Sequence, residues 1–231
     1  MKKVGLVGGI GPESTISYYH DIVYGVQKRV GRDFFPDMSI ESIDLFKWVE
    51  LCDQKRYDEL VDFTLAPIQR LAASGADFAV LTANTAHLIF DQVQARSPIP
   101  LISIVEATAQ EAARRGYKKV GLLGTGFTMK NEFFKTAFRK RGIEVEIPNE
   151  DDMDFIHGKI YEELVYEKVL PETQSRLVSI AEQMAKESGI QGLVLGCTEL
   201  PLILNDNISP VPCLDTVKIH VAAILDEIMD G

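Results

Sequence analysis

Lys2-Lys3-Val4-Gly5-Leu6 opens the chain, and Lys118-Lys119-Val120-Gly121-Leu122 repeats it letter for letter. Each copy runs on into a glycine-rich turn, Val7-Gly8-Gly9-Ile10-Gly11 in the first and Leu123-Gly124-Thr125-Gly126 in the second. A second pair lies at nearly the same offset. Ala76-Asp77-Phe78-Ala79-Val80-Leu81-Thr82 leads into Ala83-Asn84-Thr85, and Gln191-Gly192-Leu193-Val194-Leu195-Gly196 leads into Cys197-Thr198-Glu199. An apolar strand followed by glycine is common to βαβ proteins. Two such matches at one offset indicate an internal duplication.

Working outward, each half alternates between short β-branched runs and amphipathic stretches. The strand-like runs are 3–8, 38–44, 77–82, 101–104, 119–124, 143–147, 192–196 and 210–213. Between them lie helix-like stretches at 55–74, 105–116, 128–141, 172–188 and 215–229. That order predicts an α/β fold made of two pseudo-symmetric α/β domains with parallel sheets. Residues 1–98 form the first domain and 99–211 the second, with Ser97-Pro98-Ile99-Pro100 at the crossing. The C-terminal helix, in 212–231, is expected to return to the first domain. Open α/β sheets bind ligands at the carboxyl ends of their strands, so the site is expected in a cleft between the domains.

Bulk properties narrow the function. The net charge of −10 over 231 residues argues against a nucleic-acid or anionic-membrane partner. No run approaches the ~18 apolar residues of a membrane span. The N-terminus begins like a signal peptide, but its apolar run breaks at Pro12 and Glu13. Three cysteines, Cys52, Cys197 and Cys213, make no disulfide framework, and the histidines His20, His87, His157 and His220 are scattered. The expectation is a cytoplasmic protein that binds no metal.

The strand-end turns hold the residues able to do chemistry. Cys197 precedes Thr198-Glu199-Leu200-Pro201, which reads as a helix start, where backbone N–H groups and the helix dipole stabilise a thiolate. The bland alternative is a small buried apolar residue. At the matching turn, Asn84 and Thr85 could bind a carboxylate or could serve only as caps. His87 could supply charge, orient a substrate or be structural. Gly9 lets backbone approach a small anion, although Ser14 spoils the dinucleotide fingerprint, and the chain lacks a GxxxxGK[ST] loop. Thr125 and Thr128 offer hydroxyls, and Lys168 is a candidate carboxylate clamp. Cys52 and Cys213 read as packing.

Taken together, these segments resemble the aspartate/glutamate racemase family. Gly8-Gly9-Ile10-Gly11-Pro12 is similar to its N-terminal turn. Asn84-Thr85-Ala86-His87 is similar to the tail of its first motif, Cys-Asn-Thr-Ala-His. Leu195-Gly196-Cys197-Thr198-Glu199-Leu200-Pro201 is similar to its second. The resemblance spans the chain and implies a two-domain α/β fold, usually a homodimer, acting on a small amino acid without a cofactor. It also implies that one cysteine thiolate removes the α-proton and a second, as thiol, reprotonates the opposite face. Cys197 takes the first role, on the L-enantiomer. Gly9, Asn84, Thr85, Ala86, Thr125, Thr128, Lys168, Thr198 and Glu199 are the expected substrate-binding set.

The chain departs from that pattern at Ala83, where the first cysteine belongs. Alanine carries no acid/base group. Three explanations stand in order: an impaired or engineered variant; another acid/base nearby, such as Thr82, Thr85, His87 or water; or a one-cysteine reaction. Aryl-malonate decarboxylases resemble the last layout, and hydantoin racemases are a nearer alternative. A non-catalytic amino-acid-binding protein is the alternative from a different class.

Overall fold

The computed structural model describes residues 1–31 and 33–230. The chain divides into two compact units. One is Met1–Ile104 with the chain from His220 onward, and the other is Val105–Ile219.

The first unit runs β1 (Val4–Gly8), α1 (Pro12–Val30), β2 (Met38–Ser42), α2 (Leu45–Asp53), α3 (Tyr57–Ala73), β3 (Phe78–Leu81), α4 (Phe90–Arg96) and β4 (Leu101–Ile102). Its sheet has the order β2-β1-β3-β4, and every pair is parallel. The register sets Val4 against Met38 on one side and Phe78 on the other. Val4, Leu6, Val80 and Leu81 are wholly buried, as expected for a parallel sheet covered on both faces. Gly5 lets α3 close on β1, since a Cβ there would sit 3.0 Å from Leu71 Cβ.

The second unit begins within α5 (Ile104–Arg114) and continues through β5 (Lys119–Leu123), α6 (Gly126–Lys130), α7 (Glu132–Arg139), β6 (Glu144–Glu146), α8 (Glu150–Glu162), α9 (Pro171–Ser188), β7 (Leu193–Leu195) and β8 (Cys213–Asp215). Its sheet has the order β6-β5-β7-β8, again all parallel. The topology of the first unit is thus repeated strand for strand.

The repeat extends to backbone detail. Asp77 N–H donates to Lys3 O at 2.8 Å, and Gln191 N–H donates to Lys119 O at 2.8 Å. The Asp77 carboxylate accepts from Lys3 N–H at 2.6 Å, and the Gln191 amide oxygen from the equivalent Lys119 N–H at 3.3 Å and, more closely, from Lys118 N–H at 2.5 Å.

The final helix, α10 (Thr216–Met229), leaves the second unit and joins the first. Gly25 of α1 receives Leu225, and Lys2 N–H donates to Ile228 O at 3.0 Å. The crossings fall after Ile104 and after Ile219, later than positions 98 and 211. β4 is the reason at the first, because it pairs with β3. β8 is the reason at the second, because it pairs with β7.

All eight strand-like runs become strands, with the last displaced to 213–215. The stretch 128–141 is divided into α6 and α7, with Asn131 in extended backbone between them. α1, α2, α4 and α8 have no counterpart among those helix-like stretches. α8 carries three acidic residues in its first turn, which interrupt its apolar stripe and leave its periodicity faint.

Candidate functional site

In the second unit, β7 ends at Leu195, and Gly196 N–H donates to Leu123 O at 2.7 Å. A Cβ at position 196 would lie 2.9 Å from that same oxygen, so only glycine lets the turn press on β5. Cys197 follows, partly exposed. Its Sγ–H donates to Glu199 Oε2 at 2.7 Å, and Thr198 Oγ1–H donates to Glu199 Oε1 at 2.8 Å. Both carboxylate oxygens are therefore occupied by neighbours in the turn.

Burial, then the Glu199 charge and its hydrogen bond, push the Cys197 thiol well above its usual range. The backbone N–H groups of Glu199 and Thr198 act in the opposite direction and lose. The residues beyond form only a short 3-10 turn, Leu200–Leu202. The expected helix start with its macrodipole is therefore replaced by local groups, and the resting sulfur is a thiol.

Thr125 caps α6 by accepting from Thr128 N–H at 3.2 Å, and the two hydroxyls lie 3.2 Å apart. Thr128 is buried, with its methyl close to Gly124 and Gly196. Gly126 N–H donates to His157 Nδ1 at 3.2 Å, a partner that no sequence spacing marks. Lys168 is exposed beyond a 3-10 turn, with Nζ 5.6 Å from the Tyr166 ring centroid. The base of that segment is held by Glu163, which is buried and accepts from Thr173 Oγ1 at 2.6 Å and from Lys159.

In the first unit the glycine turn is tightly specified. Gly9 has φ +90°, and a Cβ there would fall 2.3 Å from Ile43 O. Gly9 N–H donates to Thr15 Oγ1 at 3.0 Å, and that oxygen lies 3.2 Å from Thr82 Oγ1. Ser14 Oγ is 2.9 Å from both Gly11 O and Thr82 O. Thr82 is wholly buried and its hydroxyl donates to Val7 O at 3.2 Å. The Ser14 and Thr15 hydroxyls thus stitch this turn to the end of β3.

Ala83 follows Thr82 and is 6% exposed. Asn84 and Ala86 are buried and Thr85 is half-buried, at the head of a 3-10 turn, Thr85–Ile89. His87 is buried, and burial lowers its pKa to about 4. A neutral ring cannot supply positive charge, which corrects one role considered for it. Cys52 and Cys213 are buried, and burial raises both thiols. Among the described residues, no group of three or more His, Cys, Asp and Glu side chains is placed to hold a metal, and no helix is long and apolar enough to cross a membrane.

Two matching parallel α/β units, one followed after its third strand by a thiol–carboxylate pair and the other by alanine, define the class: a duplicated α/β protein. Residues 7–224 match the model of the Asp/Glu/Hydantoin racemase family. The chain belongs to that family of enzymes. It is 24% identical to the broad specificity amino-acid racemase RacX of Bacillus subtilis over 92% of each chain. It is also similar to a crystal structure from Yersinia pestis provisionally described as an Asp/Glu racemase, with TM-score 0.94, 31% identity and 99% and 100% coverage. An aspartate racemase homologue from Pyrococcus horikoshii superimposes with TM-score 0.88 at 32% identity, covering 100% of both chains.

Proposed function

We propose that the chain is a cofactor-independent racemase of an acidic amino acid, aspartate or glutamate, with Cys197 as the acid/base on one face of Cα. The observation that carries this reading is the Cys197 thiol held 2.7 Å from the Glu199 carboxylate, within the turn that resembles the family's second motif.

The proton inventory follows from that pair. At rest the proton is on sulfur. To act as a base, the thiol passes it to Glu199, and the thiolate takes the α-proton of the substrate. Thr198 holds the other carboxylate oxygen and keeps Glu199 aimed at sulfur. The carbanion is stabilised by donors on the substrate carboxylate, a role assigned to Asn84, Thr85, Thr125 and Thr198. Gly9 is kept in the proposed set as the residue that shapes its turn, and Lys168 is assigned to the side-chain carboxylate. Thr128 and Ala86 complete the proposed substrate-binding set as buried members of the same two turns.

The opposite face has no such group. The Thr82 hydroxyl is committed to Val7 O and both His87 nitrogens are bonded, so neither replaces a thiol at Ala83. That leaves the Thr85 hydroxyl and water, both poor acid/base groups beside a thiol, so the proposed chain is impaired for reprotonation on that face. The same observation favours a second reading, a one-thiol decarboxylase or isomerase that needs only Cys197. A cytoplasmic homodimer completes the proposal; α1 exposes Ile16, Tyr19 and Tyr24, an apolar surface available to a second copy.

The test is α-proton exchange in deuterated water, followed by proton NMR on both enantiomers of aspartate and glutamate. Exchange of the L-enantiomer alone, lost in Cys197→Ser, is the expected result. Exchange of both enantiomers at similar rates would overturn the one-face assignment. Turnover of a malonate without any exchange would move the chain to the second reading.

A further inference from the structure

Two buried histidines have no place in proton transfer at Cys197. His87 Nδ1 lies 3.1 Å from Ala83 O, and His87 Nε2 lies 3.2 Å from Ile104 N, whose N–H it accepts. One nitrogen must donate and the other must accept, so the ring is the neutral Nδ1–H tautomer. It stacks on Phe90 with centroids 4.9 Å apart and planes 7° from parallel. His220 is the converse case. Its Nε2–H donates to Ile102 O at 3.0 Å, and its Nδ1 accepts from Tyr18 Oη–H at 2.7 Å.

The positions of the partners give these bonds their meaning. Ile104 is the last residue of the first unit before the chain leaves it, and His220 is the first on its return. Each crossing is thus tied to the first unit by one neutral imidazole. His87 also grips the carbonyl of Ala83, in the turn after β3. A trans peptide is planar, so holding the Ala83 carbonyl fixes the Asn84 N–H in the opposite direction. Movement at Ile104 and the aim of the Asn84 N–H are therefore linked through one ring.

We propose that His87 is a positioning residue that couples the chain crossing at Ile104 to the Ala83–Asn84 peptide, while His220 pins the return crossing to the neighbouring strand end. The structural inference stands by itself; only its consequence for turnover rests on the racemase reading.

Two variants separate the bonds. In His87→Asn, the side-chain amide nitrogen occupies the Nδ1 place and keeps the Ala83 bond, but the side chain is too short to reach Ile104. In His87→Gln, the amide oxygen reaches the Nε2 place and keeps the Ile104 bond, but the Ala83 bond is lost. Amide hydrogen exchange is read at 84–85 and at 104–105 in each variant. Coupling predicts that losing either bond speeds exchange at both places, by tenfold or more. Faster exchange confined to the side whose bond was removed would overturn the proposal.

In the unmodified chain, the 15N shifts of His87 are expected to report the Nδ1–H tautomer, with a scalar coupling across the Ile104 N–H···Nε2 bond. An Nε2–H tautomer would overturn the proposal even if neither variant folds. In turnover, His87→Asn is expected to raise KM for L-substrate exchange and leave the pH profile, set by Cys197, unchanged. No α-proton exchange by the unmodified chain would sink the racemase reading alone, since the amide measurements still decide this one.

Discussion

The turn after β3 and the turn after β7 share a frame and differ in chemistry. Thr82 N–H donates to Val7 O at 3.1 Å, and Gly196 N–H donates to Leu123 O at 2.7 Å, the same bond to the end of the adjacent central strand. One residue further on, the first unit has a buried methyl at Ala83 and the second has a thiol bonded to a carboxylate. The supporting side chains also diverge. Around Ala83 they are neutral hydroxyls and an imidazole committed to backbone. Around Cys197 they are a hydroxyl and a carboxylate aimed at sulfur. A duplicated fold therefore supplies two equivalent positions, and the side chains placed there give them different chemistry.

Four experiments test the difference between the two turns. The largest effect is expected at Cys197: its replacement by serine should lower α-proton exchange of the L-substrate by about a thousandfold or more, because a hydroxyl is a far weaker acid than a thiol. Retained exchange would remove Cys197 from the mechanism.

The converse change is Ala83→Cys, which makes the two turns alike at the reacting position. It should convert one-face exchange into racemisation, raising D-substrate exchange by about a hundredfold. Polarimetry and deuterium incorporation read it together. No gain would show that the turn after β3 lacks more than its thiol.

The two turns also differ in what holds them, which a pH titration of stability detects. Burial lowers the pKa of His87 to about 4, and burial with the nearby His87 lowers that of His220 to about 3. Both lie below the 6.5 of an unfolded histidine. Between these limits the unfolded chain binds more protons, so this contribution is fully present above pH 6.5 and is lost as pH falls. Urea unfolding at pH 7.5 and pH 5 should show a loss of about 2 kcal/mol per histidine. His87→Gln should remove its share of the dependence.

The smallest effect is expected at Glu199. Its charge helps hold the Cys197 thiol up, so Glu199→Gln should lower the thiol pKa, read by thiolate absorbance in the ultraviolet. Exchange should nevertheless slow by about tenfold, because the proton acceptor is gone. A faster enzyme with the same lowered thiol pKa would show that Glu199 restrains Cys197 rather than serving it.

Most of the scaffold was legible because its signals are local. The Lys-Lys-Val-Gly-Leu repeat and the apolar runs gave the duplication, the parallel sheets and all eight strands. The frame around Gly9 was legible too, since a glycine turn ahead of Pro12 signals tight backbone. Helices with charged first turns, such as α8, were hidden because their apolar stripe is interrupted. The crossing points were hidden because an apolar run does not say which sheet it joins: β4 pairs with β3, and β8 with β7.

Residue order alone shows that the chain is doubled and that one of two equivalent strand-end positions carries a thiol and the other a methyl. These are facts of residue identity and spacing. The state of the groups follows instead from their packing. Cys197 is a thiol because burial and the Glu199 charge outweigh two backbone N–H groups. His87 is neutral because it is buried between a carbonyl and an N–H seventeen residues away in the chain. Desolvation and long-range hydrogen bonds are properties of packed neighbours, and no spacing along the chain records them.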